Sequence, residues 1–324
     1  MRYGDSDRES KNVEDRRSES GGGGFGFPGG RGGMQIPIPV GGRGGFSLTT
    51  LIIIGAIMLL FGINPLDLLR DGAGPGGGMP QLPRMDPGAG QGRSPFELPG
   101  MPGTGTRVTG NDEMKKFVSH VLADTEDVWA RVFQSFGKRY QEPKLVLFSG
   151  AFDTACGTGQ SAMGPFYCPL DRKVYIDLAF YDELKRRFNA PGDFAQAYVV
   201  AHEVGHHVQT LLGVAEQVQR LKSRMSELEA NQLQVRMELQ ADCLAGVWAA
   251  LNNQLKNRLQ PGDVEEGLNA AQAIGDDTIQ RRTMGRVVPD AFTHGSSAQR
   301  IRWFKRGLDS GQIQQCDTFN ASAL

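Results

Sequence analysis

The sequence predicts an α+β fold for residues 111–324. Short strand-like segments lie between residues 144 and 177, a helical segment with the pentapeptide HEVGH follows, and charged helix-forming segments occupy most of the remainder. Strands grouped before helices are typical of α+β domains rather than of alternating α/β folds. We therefore expect a small sheet, a helix that carries the pentapeptide, and a mainly helical C-terminal part.

The first 45 residues predict a disordered, glycine-rich arm. A charged run from Arg2 to Glu19 precedes a glycine-rich tract, and 28 of the 44 glycines of the chain fall within the first 110 residues. This composition offers little apolar surface to bury. The net charge is −1, and only Arg31 and Arg43 lie within the glycine tract, so we expect no nucleic-acid partner.

Residues 46–63 (FSLTTLIIIGAIMLLFGI) form an uncharged, mostly apolar run of 18 residues, just long enough to cross a bilayer as a helix. A buried core helix is the alternative, but the glycine-rich neighbours give it nothing to pack against. A cleaved signal peptide fits less well, because the run starts far from residue 1 and no A-x-A-like site follows. The run predicts a single transmembrane signal anchor, and the Gly/Pro-rich residues 64–110 predict a flexible stalk.

The folded part is expected to begin with a helix that Asn111 caps and Gly137 ends, because apolar side chains between them recur at helical spacing. The period then changes to that of strands at residues 144–148, 165–168 and 174–177. The turn composition PLDRK joins the last two strands and predicts a hairpin.

Asp193 is expected to cap a helix over residues 194–212, which Gly213 ends. The next segment has almost no helix breakers and is rich in Glu, Gln, Arg and Leu. Three further helices are predicted, at residues 216–253, 261–282 and 297–308.

The pentapeptide His202-Glu203-Val204-Gly205-His206 has the HExxH pattern. On a helix, positions i and i+4 share one face, so His202 and His206 can bind one ion while Glu203 stands beside it. Zinc at such a site acidifies a bound water, and a neighbouring carboxylate can take its proton during attack on a carbonyl. The pattern predicts a zinc hydrolase that cuts amide bonds.

Two histidines do not hold zinc tightly, so a third protein ligand is needed. In the sequence ELQAD, Glu238 and Asp242 are also four residues apart on one helical face. Glu238 is the candidate third ligand, and Asp242 is placed to accept the free ring N–H of a ligating histidine. The alternative is a solvated acidic face on a charged helix.

All four cysteines lie in the C-terminal part, and an even number in an exported domain predicts two disulfides. Cys156 and Cys168 flank a Gly-rich segment with hairpin character and are the first candidate pair. Cys243 and Cys316 are then paired by elimination. Four reduced buried thiols remain the alternative, and the absence of CxxC spacing argues against a cysteine zinc site.

The segments HEVGHH, ELQAD, CGTGQSAMGPFYCPLDRKVYIDLAFYDEL and THGSSAQRIRWF resemble the bacterial putative neutral zinc metallopeptidase family, a group of glutamate-ligand zincins. The resemblance covers about residues 111–319. It implies a zincin-like fold, one Zn²⁺, and a peptide or protein substrate. It assigns the residues as follows: zinc ligands His202, His206 and Glu238, general base Glu203, and orienting carboxylate Asp242.

Three other residues have competing interpretations. His207 lies about 100° around the helix from His206 and is expected to pack or support rather than bind the ion. His294 resembles a position where zincins use a histidine to stabilise the oxyanion, but a loop histidine bonded to backbone is the alternative. Arg300 is either a partner for an acid near the site or a surface arginine.

By fold analogy, residues 174–177 are expected to form an exposed edge strand that pairs with substrate.

The sequence thus predicts a membrane-anchored zinc peptidase in the bacterial inner membrane, single-pass, with its catalytic domain on the periplasmic side. Near the apolar run, Arg31 and Arg43 lie on one side and Arg70 on the other, so the positive-inside bias is weak and the orientation rests on the cysteines. The alternative is a catalytically silent zinc-binding scaffold of the cell envelope. A glycine-rich adaptor, in which residues 1–45 are the functional part, is a third hypothesis.

Overall fold

The computed structural model describes residues 1–19, 105–161, 164–186 and 188–324. Its main sheet has four strands in the order β1-β2-β6-β5, formed by Val13–Asp15 (β1), Lys144–Phe148 (β2), Lys173–Asp177 (β6) and Phe166–Cys168 (β5). Strands β1, β2 and β6 run parallel to one another, and β5 pairs antiparallel with β6. Ala151–Thr154 (β3) and Gly157–Gln160 (β4) form a separate two-stranded hairpin.

In the described chain, one helix precedes strands β2–β6 and the other helices follow them, as expected for an α+β fold. They are α1 (Gly105–Ser135), α2 (Ala179–Arg186), α3 (Asp193–Leu211), α4 (Val214–Lys222), α5 (Glu227–Lys256), α6 (Asp263–Ala273), α7 (Asp276–Met284) and α8 (Ser297–Ser310). Short 3₁₀ turns lie at Pro289–Ala291 and Ile313–Cys316.

The hydrophobic core lies between the sheet and the helices that pack against it. Strand β2 is apolar from Leu145 to Phe148 and buried along that length, as expected for a strand with neighbours on both sides. From the helices, Trp129, Trp248 and Trp303 enter the core and are almost completely buried. Helix α3 is buried on most of its surface. This packing fixes the directions in which its polar side chains point.

The expected disorder of the first 45 residues is wrong for residues 1–19. Strand β1 lies in this segment and extends the sheet, with Glu14 beside Val146. The composition suggested disorder because the segment is mostly polar. The segment is instead held by ion pairs to α1 and to the residues after α5.

The described residues do not include 20–104, which contain the rest of the predicted arm, the apolar run 46–63 and most of the predicted stalk. Among the described helices, none is long and apolar enough to span a membrane.

Several predicted helix ends are wrong. Helix α1 begins at Gly105, so Asn111 lies inside it rather than at its cap. Helix α3 has Gly192 as its N-cap, and the carboxylate of Glu266, from α6, accepts the N–H of Phe194. Asp193 instead pairs with the Met1 ammonium group. A tertiary carboxylate therefore does what a local cap was expected to do.

Two predicted long helices are each divided. The segment 216–253 contains a break before α5, where Ser226 and Glu229 form a capping box with reciprocal side-chain to backbone hydrogen bonds. The segment 261–282 is divided at Gly275, in front of α7. The S-x-x-E pattern of the first break was readable in the sequence. The second has no such side-chain cap.

The strand prediction was close but incomplete. Residues 165–168 and 174–177 form the predicted hairpin, whereas β1, β3, β4 and the helix α2 were not predicted. The residues 174–177 are not an edge strand, because β6 lies between β2 and β5. The edge strand next to α3 is β5 instead. The error arose because the hairpin pattern identified β5 as one neighbour of β6, but no local pattern showed that β2 pairs with its other side.

Both predicted disulfides are present, Cys156–Cys168 and Cys243–Cys316, and the described part of the chain has no free cysteine. The first ties the β3–β4 hairpin to β5. The second joins α5 to the 3₁₀ turn after α8.

Helices α5 and α8 cross with their backbones in close contact, and a glycine lies on each side. A Cβ on Gly246 would lie 2.0 Å from the carbonyl oxygen of Phe304, and a Cβ on Gly307 would lie 1.9 Å from that of Cys243. Only glycine permits this approach. The crossing brings the start of α8, with Arg300, against α5.

We expect Gly307→Val to destabilise the domain by about 3 kcal/mol or more, because the added side chain must push two helices apart. Thermal or urea unfolding measures the loss. Ala298→Val, on the exposed side of the same helix, is the matched control and should cost less than about 1 kcal/mol. Equal stability of the two variants would show that the helices do not meet at Gly307.

Candidate metal centre

Three side chains that the sequence singled out as ligands meet at one point. The Nε2 atoms of His202 and His206 lie 3.3 and 3.4 Å from Oε2 of Glu238. His202 and Glu238 are buried and His206 is nearly so. Tetrahedral zinc with bonds of about 2.0–2.1 Å separates neighbouring ligand atoms by about 3.3 Å, so these three atoms fit such an ion. Among the described residues they form a candidate group of three metal-binding side chains.

The glycine within the pentapeptide lets the two ligand-bearing helices approach each other. A Cβ on Gly205 would lie 3.0 Å from the carbonyl oxygen of Ala241 and 3.2 Å from its Cα. The α3 helix therefore packs closely on α5 in the turn that follows Glu238. This contact sets the reach of the Glu238 carboxylate to both histidines.

The charges at the site favour a cation. Burial opposes the charged form of Glu238, but His206 and His202 outweigh it and hold the pKa of this carboxyl well below its usual value. Burial likewise opposes a charged His202, yet Asp242 and Glu238 raise its pKa to about 10. The carboxylates therefore stabilise positive charge strongly where the three ligand atoms meet, as a zinc site requires.

Asp242 holds His202 in place, as the spacing suggested. Its Oδ1 lies 2.8 Å from Nδ1 of His202, which directs Nε2 toward Glu238. Asp242 is completely buried, and burial raises its pKa, but Arg300 and His202 lower it further and keep it ionised. Carboxylate–histidine pairs of this kind fix the ring and increase its basicity.

Arg300 is the buried partner of Asp242 and not a surface arginine. It is 2% exposed, and its Nε and Nη2 each donate to Asp242 over 2.9 Å. Its Nη2 also donates to the hydroxyl of Tyr198, which in turn donates to Oδ1 of Asp242. A bidentate arginine–carboxylate pair orients both groups, so α8 positions His202 through Asp242.

The second histidine has a neutral support. Nδ1 of His206 lies 2.8 Å from Oε1 of Gln209, whose amide nitrogen donates to the carbonyl of Met237 and to Gln240. Because that amide nitrogen is fixed as a donor, Oε1 faces His206 and requires a protonated Nδ1. Nε2 of His206 is then free to bind a metal.

Sequence reasoning did not identify Tyr198, Gln209 or Gln234. Gln234 donates to Oε1 of Glu238 over 2.8 Å and so leaves Oε2 facing the histidines. All three residues lie three or four positions from a ligand on the same helix, which is the spacing that could have revealed them.

Glu203 and His294 line the same cavity as the three ligands. This cavity measures about 320 Å³ and has a mostly apolar wall. The apolar wall residues are Pro165, Phe166, Phe180, Phe188, Val199, Ile274 and Ile279. Glu203 is 8% exposed, so a carboxylate with little access to bulk water lies next to the ligands. A cavity with an apolar wall and a few polar groups is typical of a substrate site.

His294 is brought to the cavity by Asp276, which the sequence did not indicate. Oδ2 of Asp276 accepts the backbone N–H groups of Thr293, His294 and Gly295 over 2.6–3.0 Å, and Oδ1 lies 3.3 Å from Nδ1 of His294. The imidazole is half exposed. Desolvation of the half that is covered lowers the pKa of His294, but Asp276 and Glu238 outweigh this effect and raise that pKa.

His207 is remote from the three ligand atoms, as its angle on the helix predicts. Its Nε2 donates to the carbonyl of Gln141 over 2.6 Å, and its Nδ1 faces the hydroxyl of Tyr167 at 3.0 Å. Burial lowers its pKa to about 4, so the neutral ring accepts the Tyr167 hydrogen bond. His207 thereby positions Tyr167, which lines the cavity.

We expect Arg300→Leu to weaken zinc binding about 10–100-fold, because Asp242 loses the group that orients it and keeps it charged. Stability should also fall by about 3–5 kcal/mol, the usual cost of leaving a buried charge unpaired. Competition with a zinc-chelating dye measures the affinity. Lys305→Ala, which removes an exposed cation from the same helix, should leave it unchanged. Unaltered zinc affinity in a folded Arg300→Leu protein would remove Arg300 from the support of the site.

The family model described as "Putative neutral zinc metallopeptidase" matches residues 1–319. The chain is 50% identical over 315 residues to "Uncharacterized protein YpfJ" of Escherichia coli strain K12, which covers 97% of this chain and 98% of that protein. It is 42% identical over 226 residues to "Uncharacterized protein Rv2575" of Mycobacterium tuberculosis, covering 67% of this chain and 75% of that protein. No solved structure shows a significant match. The zincin fold therefore stays a prediction, whereas the sequence match shows that the chain belongs to the putative neutral zinc metallopeptidase family.

Proposed function

We propose that this protein is a zinc-dependent peptidase whose ion is held by His202, His206 and Glu238. The observation that carries the proposal is the convergence of these three ligand atoms beside the buried carboxylate of Glu203 in one cavity. Three protein ligands leave a fourth position for water, which is the arrangement of catalytic zinc. One Zn²⁺ per chain is expected.

When bound, zinc acts as a Lewis acid and lowers the pKa of a bound water to about 7. Glu203 accepts a proton from the attacking water and delivers it to the amine that leaves. Its burial keeps it away from competing solvent. His294, with its raised pKa, donates a hydrogen bond to the oxygen of the attacked carbonyl as negative charge develops there.

A catalytically silent zinc-binding scaffold is the competing function. A structural zinc site is closed by four protein ligands and needs no general base. Within the described chain, the cluster at His202 supplies three metal-binding side chains, and Glu203 lines the adjoining cavity. Both features favour hydrolysis.

We also propose that the domain works outside the cytoplasm, attached to the bacterial inner membrane through residues 46–63. The disulfides Cys156–Cys168 and Cys243–Cys316 support an oxidising compartment. A peptide or protein of the cell envelope is then the substrate.

Glu203→Gln should retain about one zinc per chain and lose about 10²–10⁴-fold in peptide cleavage, because it removes the proton acceptor but no ligand. Metal analysis and mass spectrometry of a digested peptide library measure the two effects on full-length protein. His202→Ala is the companion variant and should lose the metal as well.

Two outcomes contradict the proposal. Wild-type protein without zinc would remove the metal centre. Zinc-loaded protein that cleaves nothing, and whose Glu203→Gln variant behaves like wild type in cells, would favour the scaffold.

His294→Gln should lower kcat more than it raises KM, since the charged imidazole acts on the developing oxyanion. The contribution of His294 is present below its raised pKa and is lost as pH rises through that value. The wild-type kcat should therefore decline on the alkaline side relative to the variant. A constant ratio of the two kcat values across pH, at equal zinc content, would contradict this role.

A further inference from the structure

Residues 1–19 are built into the same folded body as the metal centre. Strand β1 pairs in parallel with β2, from Val13 beside Leu145 to Asp15 beside Leu147. Arg16 continues the ladder by donating its backbone N–H to the carbonyl of Leu147. In the described chain, the segment supplies one of the four strands of the main sheet.

The segment also supplies the partners of a buried carboxylate. Glu126 on α1 is 2% exposed. Its oxygens accept hydrogen bonds from Arg8 (2.8 Å), Ser10 (2.5 Å) and Asn12 (2.8 Å). All three donors belong to residues 8–12, so the removal of the segment would leave this charge without them. An uncompensated buried carboxylate is costly.

A second buried carboxylate ties the segment to the region after α5. Asp124 is 1% exposed and accepts from Tyr3, Asn252, Lys256 and Arg258. Arg258 in turn donates two hydrogen bonds of 2.8 Å to Asp7. The ring of Tyr3 stacks on His120 at 5.1 Å, and Arg258 lies over the same ring. These contacts join residues 1–19 to α1 and to the residues that follow α5.

This packing constrains the placement of the chain relative to a membrane. The apolar run 46–63 lies between the segment and the domain along the sequence. A helix that crosses a bilayer once leaves its two flanks on opposite sides, about 30 Å of hydrocarbon apart. Eleven of the first nineteen residues are charged, so the segment itself does not pass into the bilayer to reach the domain. Sheet pairing between β1 and β2 and one crossing by residues 46–63 exclude each other.

We propose that residues 1–19 and residues 105–324 occupy the same compartment in the cell, where the N-terminal segment completes the sheet of the metallopeptidase domain. Residues 46–63 then do not separate the two parts across a bilayer. Residues 46–63 can still hold the chain at the membrane, as proposed above, but not as the single pass that hydropathy predicts.

The sidedness is measured on the full-length protein in bacterial cells with two variants, each of which carries one added cysteine. Glu9→Cys reports on the N-terminal segment and Lys185→Cys on the domain; both positions are exposed. The native cysteines are paired in disulfides, so the wild-type chain gives the background. Each variant is treated with a membrane-impermeant maleimide before and after lysis of the cells' inner membrane. We expect both cysteines to react at the same stage. Reaction of one in intact spheroplasts and of the other only after lysis would overturn the proposal.

A cross-link tests the docking itself. Asp5 and Lys116 form an exposed ion pair at 3.2 Å between the segment and α1. The double variant Asp5→Cys/Lys116→Cys, treated in cells with a short permeant bismaleimide, should become linked within one chain. Cleavage between residues 20 and 104 then leaves the two fragments joined. Each single-cysteine variant is the control and should yield separate fragments. Separate fragments from the double variant, with both cysteines reactive, would show that the segment is not docked.

Discussion

The buried ion pair between Arg300 and Asp242 is the interaction on which the geometry of the candidate metal centre depends. It joins α8 to α5, and through Asp242 it fixes His202 on α3. Neither charge is accessible to water, so each needs the other for its ionised state. Three helices that are distant in sequence are thereby connected at one imidazole. The first histidine of the pentapeptide is oriented by residues 40 and 98 positions away in the chain.

Close helix packing makes this arrangement possible. Gly205 admits α5 to the metal helix, and Gly246 with Gly307 admits α8 to α5. A side chain at any of these positions would displace a carboxylate or guanidinium by a fraction of an ångström or more, which exceeds the tolerance of metal ligation. The disulfide Cys243–Cys316 lies at the same helix crossing and holds the C-terminal turn against it. The packing of small residues and the geometry of the ligands are therefore one constraint.

The two histidines are supported differently. His202 faces an ionised carboxylate, whereas His206 faces the amide of Gln209, whose orientation is fixed by the backbone of α5. The carboxylate makes His202 the more basic ligand, and the neutral amide adds direction without another buried charge. Because Gln209 is neutral, both histidine rings are oriented by hydrogen bonds while only one of these two partners adds a negative charge. The N-terminal segment likewise compensates a buried charge, because Arg8 and Ser10 donate hydrogen bonds to Glu126.

The sequence by itself determined which side chains form the candidate metal centre. HExxH and ELQAD each place two functional groups one helical turn apart, so the local period revealed His202, Glu203, His206, Glu238 and Asp242. The same local rules predicted the α+β class, the hairpin before α3 and the pair Cys156–Cys168, and Cys243–Cys316 followed by elimination. The tertiary structure alone decided what Arg300 and His294 contact, because their partners Asp242 and Asp276 are brought to them by helix packing that leaves no local pattern. It also decided the fate of residues 1–19. Their composition is that of a disordered arm, and only the free edge of β2 and the buried carboxylates of α1 give so polar a segment a place to fold.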